Sequence, residues 1–125
     1  MSLISIVINC HNGGQFLEEC LNSIFNQTYQ NWEIIFLDNV SNDNSIEILS
    51  KFSDKRIRYY KTDRLEDLYK ARNLAVEKCN GKYVSFLDTD DMWSPEKLEK
   101  QINFLEKNQK FKVVFSNYYF LKDNI

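Results

Sequence analysis

Three of the four residues in Asp88-Thr89-Asp90-Asp91 are carboxylates, and they follow directly on the apolar run Lys82–Leu87 (KYVSFL). Two like charges ~4 Å apart repel by about 1 kcal/mol in water and about 4 kcal/mol at an effective dielectric of 20. A divalent cation with oxygen ligands offsets that repulsion. Mn²⁺ or Mg²⁺ takes one or two carboxylates and leaves its other positions to water and substrate phosphates. The alternative is a solvated acidic turn that caps the next helix. Ser94, Pro95 and Glu96 already supply a helix start, as N-cap, first helical residue and first-turn acid, so the three aspartates are not needed for it.

Two further polar clusters close apolar runs. Asn9-Cys10-His11-Asn12 follows Leu3–Ile8 (LISIVI), and Asp38-Asn39 follows Trp32–Leu37 (WEIIFL). The second cluster reads either as an Asx turn or as a side-chain oxygen placed to accept the imino N–H of a pyrimidine. His11 is a general base at a strand tip or a polar loop residue. Arg72 sits at helical spacing from Leu68, beside the face that packs on a sheet. Arginine is rarely buried unpaired, so it calls for an acid partner or a phosphate. Trp93 stacks on a sugar or anchors the helix after the acids. The residues alone leave each of these pairs of readings open.

Composition narrows the field. The chain has 125 residues, 43% hydrophobic and 27% charged, with a net charge of −2. That is one domain's length, too apolar and too weakly charged for disorder. The absence of a basic run argues against nucleic acid as a partner. The early apolar stretch is far short of the ~20 residues of a transmembrane segment and does not read as a signal peptide. Cys10, Cys20 and Cys79 form no CxxC, which suits reduced thiols and a cytoplasmic location. One histidine excludes a multi-histidine metal site. With only Gly13, Gly14 and Gly81, neither GxGxxG nor a Walker loop exists, so phosphates would be met by a metal or an arginine.

The elements that must position these residues alternate. Phe16, Leu17, Cys20, Leu21, Ile24 and Phe25 predict a helix from about Gln15 to Asn26. A second helix carries Ile46, Leu49 and Phe52 on one face, and Ile57–Tyr60 is a short strand. Leu68, Ala71, Arg72, Ala75 and Cys79 mark a third helix, with Leu68 in the core and a C-cap near Asn80-Gly81. Leu98, Ile102 and Leu105 line a fourth, and Lys112–Asn117 (KVVFSN) predicts a fifth strand. Five strands and four helices define an α/β domain, a mostly parallel twisted sheet with helices on both faces. Such sheets bind ligands at the carboxyl ends of their strands, at a topological switch point. The three polar clusters all fall at strand ends.

Taken in order, SIVINCHNGGQFLEECLNSIFNQTYQNWEIIFLDN, SND, KARN and GKYVSFLDTDDMWSPEKLEKQ resemble the blocks of family 2 glycosyltransferases of the GT-A fold, from Ser5 to about Leu105. The resemblance implies a Rossmann-like nucleotide-binding part and inverting chemistry of the family's kind: transfer of a sugar from a nucleotide donor, a UDP-sugar first among them, to a saccharide or lipid-linked acceptor. It implies that Asn9, His11 and Asn12 meet the nucleoside, that Asp38 and Asn39 read the base, and that Arg72 lies near the nucleotide. It puts Asp88 toward the ribose or the metal's water shell, Asp90 on the Mn²⁺ or Mg²⁺ bridging the diphosphate, and Asp91 on the acceptor side.

The chain also departs from the family pattern. The usual DDGS-like turn is DNVS, with Asn39 in place of an acid and no glycine, and the usual tyrosine of the first block is His11. Family members continue well beyond this length, with the acceptor site and catalytic base in the later segment. The expectation is therefore a single GT-A-type domain over residues 1–125, truncated at its C-terminus, with the base beyond residue 125. The cell's cytoplasm, including the inner membrane face, is the expected location. A non-catalytic nucleotide-sugar-binding module, or an inactive donor-half fragment, is the alternative. A receiver domain would need acids after the first strand and a lysine ending the fifth, and an aspartyl phosphatase would need its DxD after the first. Neither pattern is present.

Overall fold

The computed structural model describes residues 1–121. Four strands, β1 (Ile4–Cys10), β2 (Trp32–Asp38), β3 (Ile57–Lys61) and β4 (Tyr83–Phe86), form one sheet in the order β3-β2-β1-β4. All three pairings are parallel. Helices α1 (Gly14–Phe25), α2 (Ser45–Ser50), α3 (Leu68–Val76) and α4 (Lys97–Lys107) complete the fold.

Handedness explains which helix covers which face. The first two crossovers step outward from β1 to β3, and the third returns across the sheet to β4. Right-handed crossovers therefore place α1 and α2 on one face and α3 on the other. The core agrees. Ile4, Ile6, Ile8, Ile34 and Phe36 pack with Leu17, Leu21, Ile24, Ile48, Leu98 and Ile102, while Val7, Ile35 and Leu37 pack with Ala71 and Ala75. The central strands are buried on both sides, which is why they read as continuous apolar runs.

At the opposite end of the sheet from the polar clusters, a buried polar knot ties the α3–β4 connection down. Glu33 accepts hydrogen bonds from the Ser5 hydroxyl (2.7 Å), the Asn80 amide (2.8 Å) and Arg58 (3.0 Å). Burial alone would raise the Glu33 pKa, but these donors leave it below its ordinary value.

Several expectations are corrected. Lys112–Asn117 forms no strand, and Val113 and Phe115 are exposed: strand propensity needs a neighbouring edge to pair with, and this run meets none among the described residues. Phe16 lies off the buried stripe of α1. Leu68 is 55% exposed, because the α3 face on the sheet is made by Ala71 and Ala75. Helix α3 stops at Val76, and Gly81 is no left-handed C-cap. Glycine is needed there for close approach, since a Cβ would lie 2.6 Å from the Ser5 nitrogen and 2.8 Å from the Leu3 oxygen. Ser94 and Pro95 precede α4 rather than start it. Their turn is followed by Lys97, and the Leu98 amide is capped from another element, by Gln27 Oε1 at 3.1 Å.

Candidate nucleotide and metal site

Strands β1 and β4 are sheet neighbours; the chain leaves β1 toward α1 on one face and enters β4 from α3 on the other, so the topology switches between their carboxyl ends. Three loops meet there, following β1, β2 and β4. Their contacts are specific. The Asn39 amide donates to the Cys10 carbonyl at 2.7 Å, and the Asn12 amide donates to Ser41 Oγ at 3.0 Å. Asn12 Oδ1 accepts from the Asn42 amide at 2.8 Å, with Asn12 itself in the left-handed region (φ 54°) that asparagine tolerates. Asp43 accepts from the Gly14 amide at 2.9 Å. Gly13 lies so close to Thr89 that a Cβ would collide with its side chain, which joins the first loop to the acidic turn.

His11 is oriented by its Nδ1, 2.7 Å from the Asn39 carbonyl. A carbonyl only accepts, so Nδ1 carries the proton in this bond and Nε2 is left as the second functional atom. Asp38 is buried and braces the turn after β2: Oδ1 accepts from the Ser41 amide, three residues on, at 2.9 Å and Oδ2 from the Tyr59 hydroxyl at 3.0 Å. Burial, and then this bond to Asp38, push the Tyr59 pKa up to about 12, so its hydroxyl stays a donor. Asn39 is also buried, and its amide ties down residues 62–66. Oδ1 accepts from the Glu66 amide (2.9 Å) and the Thr62 hydroxyl (3.1 Å), and Nδ2 donates to the Glu66 carbonyl (2.8 Å).

That loop walls a hollow of about 330 Å³ lined by Asn9, Cys10, His11, Asn39 and residues 65–68. The exposure of Leu68 is thus explained: it faces the hollow. A larger one, about 510 Å³, opens between α2 and β3, lined among others by Leu49, Phe52 and Tyr59, and contains none of the candidate site residues.

After β4, one carboxylate oxygen from each of Asp88, Asp90 and Asp91 lies within 4.8 Å of the others, and all three residues are exposed. Partial burial, then the neighbouring Asp90 and Asp88, raise the Asp91 pKa. Converging oxygens that strain against one another suit a hard divalent cation, so the donor set fits Mn²⁺ or Mg²⁺. Arg72 Nη2 reaches Asp88 Oδ1 at 3.4 Å, and its guanidinium lies 5.6 Å from the Phe86 ring. Cys20 donates to the Asp88 carbonyl at 3.4 Å. Burial, then Asp91, Asp88 and Asp90, push its thiol up to about 12, so it holds its proton in this bond. Trp93 packs partly buried against the core, with Lys97 Nζ 3.9 Å from its ring centroid.

Sequence reasoning passed over Gln27. It is buried between α1 and α4, where Nε2 donates to the Ser23 (3.0 Å) and Ser94 (2.7 Å) carbonyls while Oε1 caps α4. Gln27 lies within the first of the family-like blocks, but only the tertiary contact reveals its role.

The fold is that of an α/β domain of the GT-A glycosyltransferase kind. The model of Glycosyl transferase family 2 matches residues 5–124, and the chain belongs to that family. A Haemophilus influenzae protein described as an uncharacterized glycosyltransferase is 42% identical over 110 residues, covering 86% of this chain and 44% of its own length. The Escherichia coli UDP-Glc:alpha-D-GlcNAc-diphosphoundecaprenol beta-1,3-glucosyltransferase WfaP is 38% identical over 123 residues, covering 98% of this chain and 49% of its own. The chain thus spans about half the length of the curated relatives it matches. Among solved structures, Staphylococcus aureus TarS 1–349 in complex with UDP-GlcNAc has a TM-score of 0.81 at 24% identity, covering 85% of this chain and 32% of that one. The mannosyltransferase PcManGT of Pyrobaculum calidifontis, in complex with GDP-Man and Mn²⁺, gives 0.77 at 20%, covering 83% and 32%. Both share the GT-A fold. Among the described residues, no helix is long and apolar enough to cross a membrane.

Proposed function

We propose that this chain is the donor-binding part of an inverting glycosyltransferase that transfers a sugar from a nucleoside-diphosphate donor to an acceptor hydroxyl. The observation that carries the reading is the convergence of the Asp88, Asp90 and Asp91 carboxylates within 4.8 Å after β4, at the same carboxyl edge of the sheet as the hollow at the ends of β1 and β2. Asp90, with Asp88, would hold Mn²⁺ or Mg²⁺. Bound there, the ion supplies positive charge to the leaving diphosphate.

The chain's own residues do the rest. Asn9, His11 and Asn12 border the nucleoside, and Asp38 and Asn39 shape the loop against which the base lies. Arg72 can leave its loose partner Asp88 and add a second positive charge near the diphosphate. Asp91 faces the acceptor side. A UDP-sugar is the donor we favour and a lipid-linked saccharide the acceptor, by analogy with WfaP, whose name states both. Such an acceptor places the reaction on the cytoplasmic face of the membrane.

The test is calorimetric titration with UDP, GDP, CDP and dTDP, each with and without Mn²⁺. Binding that needs the cation and is lost in Asp90→Ala, with the melting curve of that variant unchanged, is the expected result. Equal affinity in the variant would remove the acidic turn from the site.

A further inference from the structure

Asn9 and Asn39 both line the hollow at the ends of β1 and β2, but their amides are engaged very differently. Asn39 is spoken for. Its carbonyl oxygen accepts from Glu66 and Thr62, which fills both lone pairs, and one of its two N–H groups donates back to Glu66. Asn9 is the opposite case: its Oδ1 is buried and has no hydrogen-bond partner among the described residues. Such atoms are scarce in folded proteins, and each asks for a reason. A half-turn about χ2 exchanges the amide oxygen and nitrogen, and no bond to Oδ1 opposes that turn.

We propose that the Asn9 amide reads the edge of the donor's base, and that Asn39 is a latch building the pocket wall rather than a reader. This rests on the nucleotide-donor reading above and adds to it the class of base accepted. A carboxylate at the reading position accepts only, so it takes the uracil N3–H and repels the cytosine N3 lone pair. An amide free to turn meets both edges. Turned oxygen-outward it accepts from uracil N3–H; turned nitrogen-outward it donates to cytosine N3. The pocket therefore takes uridine and cytidine diphosphates alike.

The experiment is calorimetric titration of the chain in Mn²⁺ with UDP, CDP and inorganic pyrophosphate. Wild type should bind UDP and CDP within about threefold of each other. Asn9→Asp, an acceptor only, should raise the preference for UDP over CDP roughly tenfold, the scale of one good hydrogen bond. Asn9→Leu should weaken both nucleotides about as much and leave pyrophosphate unchanged. Asn39→Asp sets an oxygen against the Glu66 carbonyl. It should weaken both nucleotides equally and speed hydrogen exchange at the Glu66 amide. If either Asn9 variant fails to fold, Asn9→Ser carries the same test, with weaker UDP and unchanged pyrophosphate expected. A UDP-to-CDP ratio that responds to Asn39→Asp and not to Asn9→Asp overturns the proposal. So does an Asn9 variant that weakens pyrophosphate as much as UDP. If wild type binds pyrophosphate but no nucleotide, the base pocket is wrong and the metal site stands. If it binds neither, the donor reading itself falls, and this inference with it.

Discussion

Arg72 Nη2 and Asp88 Oδ1 stand 3.4 Å apart, with side chains 39% and 58% exposed, so the pair linking α3 to the acidic turn is long and wet. Exposed ion pairs of this kind contribute about 0–1 kcal/mol. A guanidinium held so loosely can be recruited by a ligand at little cost to the fold. Arg72→Ala should therefore shift the urea midpoint by less than about 1 kcal/mol equivalent while weakening Mn²⁺-dependent UDP binding roughly tenfold. Parallel melts and titrations check it. A large stability loss with unchanged affinity would make Arg72 purely structural.

Leu68 looks like a core residue in the sequence and is a pocket residue in the fold. A buried leucine loses about 2–5 kcal/mol on truncation to alanine, but a half-exposed one loses far less. Leu68→Ala is expected to cost under about 1 kcal/mol in a denaturant melt. Its effect should appear as weaker nucleotide binding, measured by the same titration.

Gln27 bridges α1 and α4 with both ends of its amide. Removing it strands the Leu98 amide and the Ser94 carbonyl. Unpartnered buried groups cost about 1–3 kcal/mol each. Gln27→Ala should lower the unfolding free energy by about 2–3 kcal/mol, and Gln27→Glu by a similar amount because it replaces the donor. Urea titration decides, and a change within experimental error would refute the bridge.

Val40 holds φ 55°, a left-handed conformation that a β-branched residue adopts only under strain. The turn keeps its shape because Asp38 and Asn39 bond it on both sides. Val40→Gly should stabilise the fold by about 0.5–1 kcal/mol, the left-handed penalty less glycine's added unfolded-state entropy. Thermal melts of Val40→Gly and Val40→Ala separate this from simple side-chain loss, since alanine keeps most of the strain.

Lys97 lies over the Trp93 ring, and burial lowers its pKa from 10.5 to about 8. The folded chain therefore binds fewer protons here than the unfolded chain between those two values. By linkage, this group makes stability rise with pH across roughly pH 8 to 10.5. Lys97→Met should abolish that rise and raise stability at neutral pH. Denaturant melts at pH 7, 8.5 and 10 check both the slope and its sign.

The sequence by itself determined the parallel α/β architecture, because strands buried on both faces must be apolar throughout and helices must repeat at 3.6 residues. It also located the three polar clusters at strand ends, and left DTDD to be read from its spacing as a cation site or a solvated acidic turn. Local pattern could not reveal which side chains were already engaged. Asn39 reads like a ligand group, yet its amide is filled by Glu66 and Thr62, 23–27 residues away. Lys112–Asn117 has a strand's composition, but a strand also needs an edge to join. Leu68 has a core residue's periodicity, yet two alanines took the sheet-facing places. Propensity and periodicity act over a few residues, whereas hydrogen-bond saturation, edge pairing and pocket walls depend on groups brought together by the chain's return across the sheet. Those were decided only by the tertiary structure.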